Sequence, residues 1–135
     1  MEKKQMDPNL LTLCGANGCG KTRVLQELVR RSDGYSCMRI GAETLVDDIV
    51  FGVRSGLEIK NVFERYREID TLLIDNLWVL AVRPKTSRVI RELVGDRMSD
   101  DLFTVLASDM TVDCWLKEQQ EMAELISKGQ TVSLA

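Results

Sequence analysis

The sequence predicts a three-layer α/β fold built on a five-stranded parallel sheet, and three observations carry that prediction. Short, continuously apolar runs alternate with stripes of apolar residues at helical spacing. A glycine-rich turn follows the first run directly, and the middle run, Thr71-Leu72-Leu73-Ile74-Asp75, ends in an acid. Runs that are apolar throughout suit strands buried on both faces, and parallel strands need a helical crossover between them.

The first run, Leu10 to Cys14, reads as a strand. Val24, Leu25, Leu28 and Val29 then recur at helical spacing, so the first helix starts near Lys21 and stops at Asp33-Gly34. Cys37 to Ile40 is a second strand, and Leu45, Val46, Ile49, Val50 and Val53 form a one-sided stripe that Ser55-Gly56 breaks. Ile59, Val62, Phe63 and Tyr66 repeat the spacing ahead of the middle strand. Beyond it lie a helical stripe of Val89, Ile90, Leu93 and Val94 after Pro84, a strand at Leu102 to Ala107, a helix around Cys114 to Ile126, and a last strand at Thr131 to Ala135. With 135 residues, 44% of them hydrophobic, residues 1–135 are expected to form a single domain around one core. In such sheets ligands bind at the carboxyl ends of the strands, which points to the residues just after Cys14, Asp75 and Ala107.

Composition removes several chemistries. The chain has no histidine, which excludes serine-histidine triads and imidazole-ligated zinc. The 18 basic and 21 acidic residues give a net charge of -3, so any contact with nucleic acid must use a local patch. Cys14, Cys19, Cys37 and Cys114 lack the paired spacing of a metal knuckle and read as reduced thiols of a cytoplasmic protein. No stretch has the length of a signal-peptide core or a membrane span, so no membrane association is expected.

The turn after the first strand is Gly15-Ala16-Asn17-Gly18-Cys19-Gly20-Lys21-Thr22, which fits the phosphate-binding pattern G-x-x-x-x-G-K-[ST] in its required place between strand and helix. Glycines let backbone N–H groups wrap a polyphosphate, the helix N-terminus adds positive potential, Lys21 reaches the outer phosphates, and the Thr22 hydroxyl suits magnesium. Asp75, ending an adjacent buried strand, is placed to hold a magnesium-bound water. The next residue is Asn76, whose amide cannot take a proton from an attacking water.

More than these two motifs match a known pattern. Ala42-Glu43 with Val46, Phe63 with Tyr66-Arg67 and Asp70, Leu72-Leu73-Ile74-Asp75, and Leu106-Ala107-Ser108-Asp109 stand in the order and spacing of the AAA+ core of the bacterial replication initiator DnaA family. The chain resembles that core from about Asn9 to Leu134. The resemblance implies strand order 5-1-4-3-2, ATP or ADP with magnesium as ligands, and Ser108 or Asp109 at the position that senses the terminal phosphate. It also implies contacts to single-stranded DNA from Val46, Arg83 and Lys85, and a DnaA-type initiator or another replication protein as a partner.

Departures from the family pattern shape the expected activity. Asn76 replaces an acid, and Leu125 stands where the family has an arginine that completes a neighbour's site, so hydrolysis is expected to be weak or absent. The chain ends at the fifth strand, and the family's helical lid and duplex-binding domain are expected to be missing. The competing reading is an active ATPase of the helicase-loader or transposition-helper type, which shares the phosphate loop and the L-L-I-D strand. From Arg83 to Arg97 five basic residues face two acidic ones, and Lys85, Arg88 and Arg91 recur at three-residue spacing, as either a DNA-facing stripe or a solvated helix face would. Trp78 and Trp115 are expected to be packing anchors, with no second aromatic beside either.

Overall fold

Strands and helices alternate as the apolar pattern requires in the computed structural model, which describes residues 6–15, 20–32 and 36–134. In chain order they are β1 (Leu10–Cys14), α1 (Lys21–Arg30), β2 (Cys37–Gly41), α2 (Ala42–Arg54), α3 (Ile59–Arg67), β3 (Thr71–Asp75), a 3-10 turn (Leu77–Leu80), α4 (Pro84–Ser99), β4 (Phe103–Ser108), α5 (Val112–Glu118), α6 (Gln120–Lys128) and β5 (Gln130–Ser133). The five strands form one sheet in the order β2-β3-β4-β1-β5, which is 5-1-4-3-2 read from the other edge. Every pairing is parallel.

Alternation along the strands sends their side chains to two unequal layers. Leu10, Leu72, Ile74 and Leu106 join residues of α2 through α6 in the larger core. Leu13, Leu73, Val105 and Ala107 pack on the opposite face against Leu25 of α1, with Val24 and Leu28 beside it. Between α2 and α3 the Tyr66 hydroxyl donates to Asp48, and burial together with that carboxylate holds the phenol well above the ordinary tyrosine range.

Several element boundaries differ from the sequence expectation. β2 runs on to Gly41, β4 is shifted by one residue toward Ser108, and β5 starts one residue earlier, at Gln130, and ends at Ser133, while Ala135 and Asp33-Gly34 lie outside the described residues. The single helix expected around Cys114 to Ile126 is two helices, because Gln119 is extended, at φ -149° and ψ 102°. The cause is its buried side-chain amide, which donates to the carbonyls of Leu80 and Ala81 at 2.6 and 2.8 Å and accepts from the Ser87 hydroxyl. Breaking the helix there brings side-chain donors to the carbonyls at the end of the 3-10 turn, where the Leu80 carbonyl also accepts the Arg83 N–H at 3.0 Å. At the end of α6, Gly129 passes so close to β1 that a Cβ would lie 2.3 Å from the Leu10 carbonyl oxygen.

The lower ends of the central strands are tied by Arg97 of α4, which is fully buried. Its guanidinium donates to the carbonyls of Ile69 (2.8 Å), Asp70 (3.3 Å) and Phe103 (2.8 Å), to the Thr104 hydroxyl (3.0 Å) and to the Tyr66 carbonyl. Burial pulls its pKa down to about 10, still far enough above neutrality to keep it charged. Arg97→Met removes those donors and leaves several buried acceptors unpaired, so urea unfolding should show a loss of about 3 kcal/mol or more. Arg97→Lys should recover little of it, because one ammonium cannot span acceptors that a planar fork reaches together. An unchanged unfolding midpoint in the methionine variant would show that the network contributes nothing to stability.

Candidate functional site

β1, β3 and β4 end at one edge of the sheet, where Cys14 is paired with Ser108 and Ile74 with Leu106. The residues just beyond them face a cavity of about 630 Å³. Its inner wall is Gly20, Lys21, Thr22, Asp75, Asn76 and Asp109, with Arg23 and Gln26 on the side of α1. The phosphate-loop helix, the strand-end acid and the residue after β4 are thus brought together. Ala16, Asn17, Gly18 and Cys19 lie outside the described residues.

Gly20 caps α1 at φ +103°, a left-handed conformation that favours glycine. The chain turns there so that Lys21 is the first helical residue and Thr22 stands exposed in the first turn. Lys21 is only 8% exposed. Its ammonium lies 3.1 Å from Asp109 Oδ1 and donates to the Gly15 carbonyl. A cation this enclosed requires anionic or carbonyl partners, and a phosphate oxygen meets the same requirement.

The two residues at the end of β4 divide the work. Ser108 is fully buried; its hydroxyl accepts from the Trp115 indole N–H and from the Met110 N–H, each at 3.2 Å, and donates to the Met110 carbonyl at 3.0 Å. Asp109 is the one that faces the cavity and Lys21. Trp115 also meets Trp78 edge to face, with ring centroids 4.8 Å apart, so each tryptophan does have an aromatic neighbour and both serve the packing beneath the site.

Asp75 has both oxygens engaged. Oδ1 accepts the Asn76 N–H at 2.8 Å, and Oδ2 lies 2.7 Å from a guanidinium nitrogen of Arg39 on β2. Arg39 belongs to no sequence motif, being a single base in a short run. Strand parity is the signal that finds it: Gly41 is in register with Asp75, and Arg39, two residues earlier, shares that face. Asn76 itself is exposed and left-handed at φ 57°, a conformation that asparagine and aspartate both tolerate.

No group of three or more metal-ligating side chains occurs among the described residues. One carboxylate and one hydroxyl, Asp75 and Thr22, are nevertheless a donor set that suits magnesium when phosphate oxygens and water supply the other positions. Cys14, at the end of β1, is buried, and that burial pushes its thiol pKa up more than Lys21 draws it down.

The residues expected to touch DNA separate. Val46 is 7% exposed and belongs to the larger core, which withdraws its side chain from direct contact with a strand. Arg83 and Lys85, at the start of α4, are exposed and make no ion pair among the described residues. The longer stripe does not persist as a free face: Arg88 pairs with Glu92 at 3.1 Å, and Arg91 is half-buried. Leu125 packs in the core with Met122 and Ile126 and offers no cation.

The bacterial DnaA ATPase domain family matches residues 1–131. The chain belongs to that family. The chromosomal replication initiator DnaA of Onion yellows phytoplasma (strain OY-M) is 23% identical over 132 residues, which make up 94% of this chain and 24% of the relative. AMPPCP-bound DnaA from Aquifex aeolicus superposes with a TM-score of 0.83 at 21% identity, covering 96% of this chain and 41% of that one. A replication initiator DnaA bound to AMPPCP and single-stranded DNA superposes at 0.82, also at 21% identity, covering 93% and 40%. The chain therefore has the AAA+ DnaA fold and spans about a quarter of the length of the initiator it matches. No helix among the described residues is long and apolar enough to cross a membrane.

The bond from Trp115 to Ser108 positions the residue before Asp109. Ser108→Ala leaves a buried indole N–H without an acceptor, and tryptophan emission during urea unfolding should report a loss of about 1–3 kcal/mol. Equal stability of the two proteins would mean that this bond does not hold the end of β4.

Proposed function

We propose that the chain binds ATP or ADP with magnesium at the carboxyl edge of the sheet and turns ATP over very slowly, serving as a nucleotide-dependent subunit in the initiation of DNA replication or its control. The observation that carries this reading is the enclosed Lys21 ammonium, held on Asp109 beside Asp75 at the mouth of the phosphate-loop helix. A nucleotide's outer phosphates would take over the ammonium from Asp109. Asp75 and the Thr22 hydroxyl would hold the magnesium, which supplies charge for the phosphates when bound. The nucleotide analogue bound by the DnaA of similar fold supports the ligand class.

Single-stranded DNA belongs to the same reading through Arg83 and Lys85, which remain exposed, and a DnaA of the same fold carries such a strand. A DnaA-type initiator or another replication protein is the proposed protein partner. Low turnover follows from Asn76, which cannot act as base, and, between identical copies, from Leu125, which offers no cation to the neighbouring copy's phosphate. That combination argues for the binding role over the helicase-loader type of active ATPase.

Calorimetry with ATP and magnesium tests the site. Lys21→Ala should abolish the heat of binding while leaving the circular dichroism spectrum intact; a wild-type protein that gives no heat, or a variant that binds equally, would contradict the assignment. Turnover is tested by phosphate release. Because aspartate also accepts the left-handed backbone of residue 76, Asn76→Asp restores a base with little strain and should raise the rate measurably, within the ~10²–10⁴-fold that a positioned base contributes. Brisk hydrolysis by the wild-type chain would show that another group orients the water.

A further inference from the structure

Arg39 and Asp75 form an ion pair that nucleotide binding through the phosphate loop does not require. A base on an edge strand ordinarily stands in solvent, where it discourages strand pairing. Arg39 is on the edge strand β2, yet its guanidinium is turned onto the acid at the end of β3, 2.7 Å from Oδ2. The two side chains are 32% and 25% exposed, against 73% and 75% for the arginines that pair with Glu27 on α1. The contact is therefore more sheltered than a typical surface ion pair.

Two ion pairs stand at the cavity, Lys21 with Asp109 and Arg39 with Asp75, and Arg23 lines it on the side of α1. A polyphosphate entering beside a bare Asp75 would meet like charge, which a divalent cation ordinarily offsets. Here a guanidinium already offsets it, and the other carboxylate oxygen is held by the Asn76 N–H.

We propose that Arg39 is a built-in counter-charge for Asp75, which lets the cavity accept a nucleoside polyphosphate without a divalent cation and makes magnesium a competitor for the same carboxylate. The proposal rests on the nucleotide-binding reading above and adds a specificity-determining residue to it. Arg39 sets how strongly binding depends on metal, leaving the phosphate loop to set which ligand binds.

The test is titration of a fluorescent ATP analogue in magnesium and in EDTA, with the wild-type chain, Arg39→Ala, Arg39→Gln and the double variant Arg39→Ala/Asp75→Asn. Wild-type affinity should differ between the two conditions by less than about tenfold. Either single variant should bind at least about tenfold more weakly in EDTA while holding its affinity in magnesium. The double variant, with both charges removed, should recover the EDTA affinity, which a loss of folding in the single variants would not allow. Wild-type binding that vanishes in EDTA, or single variants with an unchanged ratio, would overturn the role of Arg39 and leave the nucleotide site standing. Absence of wild-type binding in both conditions would overturn the site as well.

Discussion

The guanidinium of Arg97 fixes the frame on which the site is built. It reaches from α4 to the carbonyls that open β3 and β4, at Asp70 and Phe103, and to the end of α3 at Tyr66. Those two strands rise together from this anchor, and their opposite ends deliver Asp75 and, one residue beyond Ser108, Asp109. A buried charge is tolerated only when its donors are matched, so the arginine constrains three chain segments at once. The constraint acts at the far edge of the sheet from the cavity, and parallel register carries it across.

At the near edge the governing physics is charge neutralisation in a partly enclosed space. Lys21 is too buried to stand without partners, and Asp109 and the Gly15 carbonyl supply them. Asp75 is likewise matched by Arg39. Ser108 and the two tryptophans hold the floor of this arrangement by hydrogen bonding and aromatic packing, and none of the three needs to touch a ligand to matter.

Much of the fold was legible because its determinants are local and periodic. The apolar runs marked β1 and β3 to the residue, and the stripes placed α2, α3 and α4 correctly, since burial of one helical face leaves a pattern in the sequence. The break at Gln119 was not legible: no glycine or proline marks it, and its cause is a pair of carbonyls nearly forty positions away in the chain. The same holds at the site. Lys21 and Thr22 belong to a motif with fixed spacing, Asp75 ends an apolar run, and the structure brings all three to one cavity. Arg39 belongs to no motif, and only strand register relates it to Asp75. Val46, expected to touch a DNA strand, is 7% exposed, because the stripe that predicts its helix also buries it.

The central claim is that a nucleotide sits at the carboxyl edge formed by β1, β3 and β4. Hydrogen–deuterium exchange of the purified chain, with and without ATP and magnesium, measures this directly by backbone position. The account predicts nucleotide-dependent protection of the phosphate loop and first turn of α1, and of the segments after Asp75 and Ser108, with no change at the opposite edge around Asn9 and Asp101. Protection confined to that opposite edge, or none anywhere at saturating nucleotide, would contradict it.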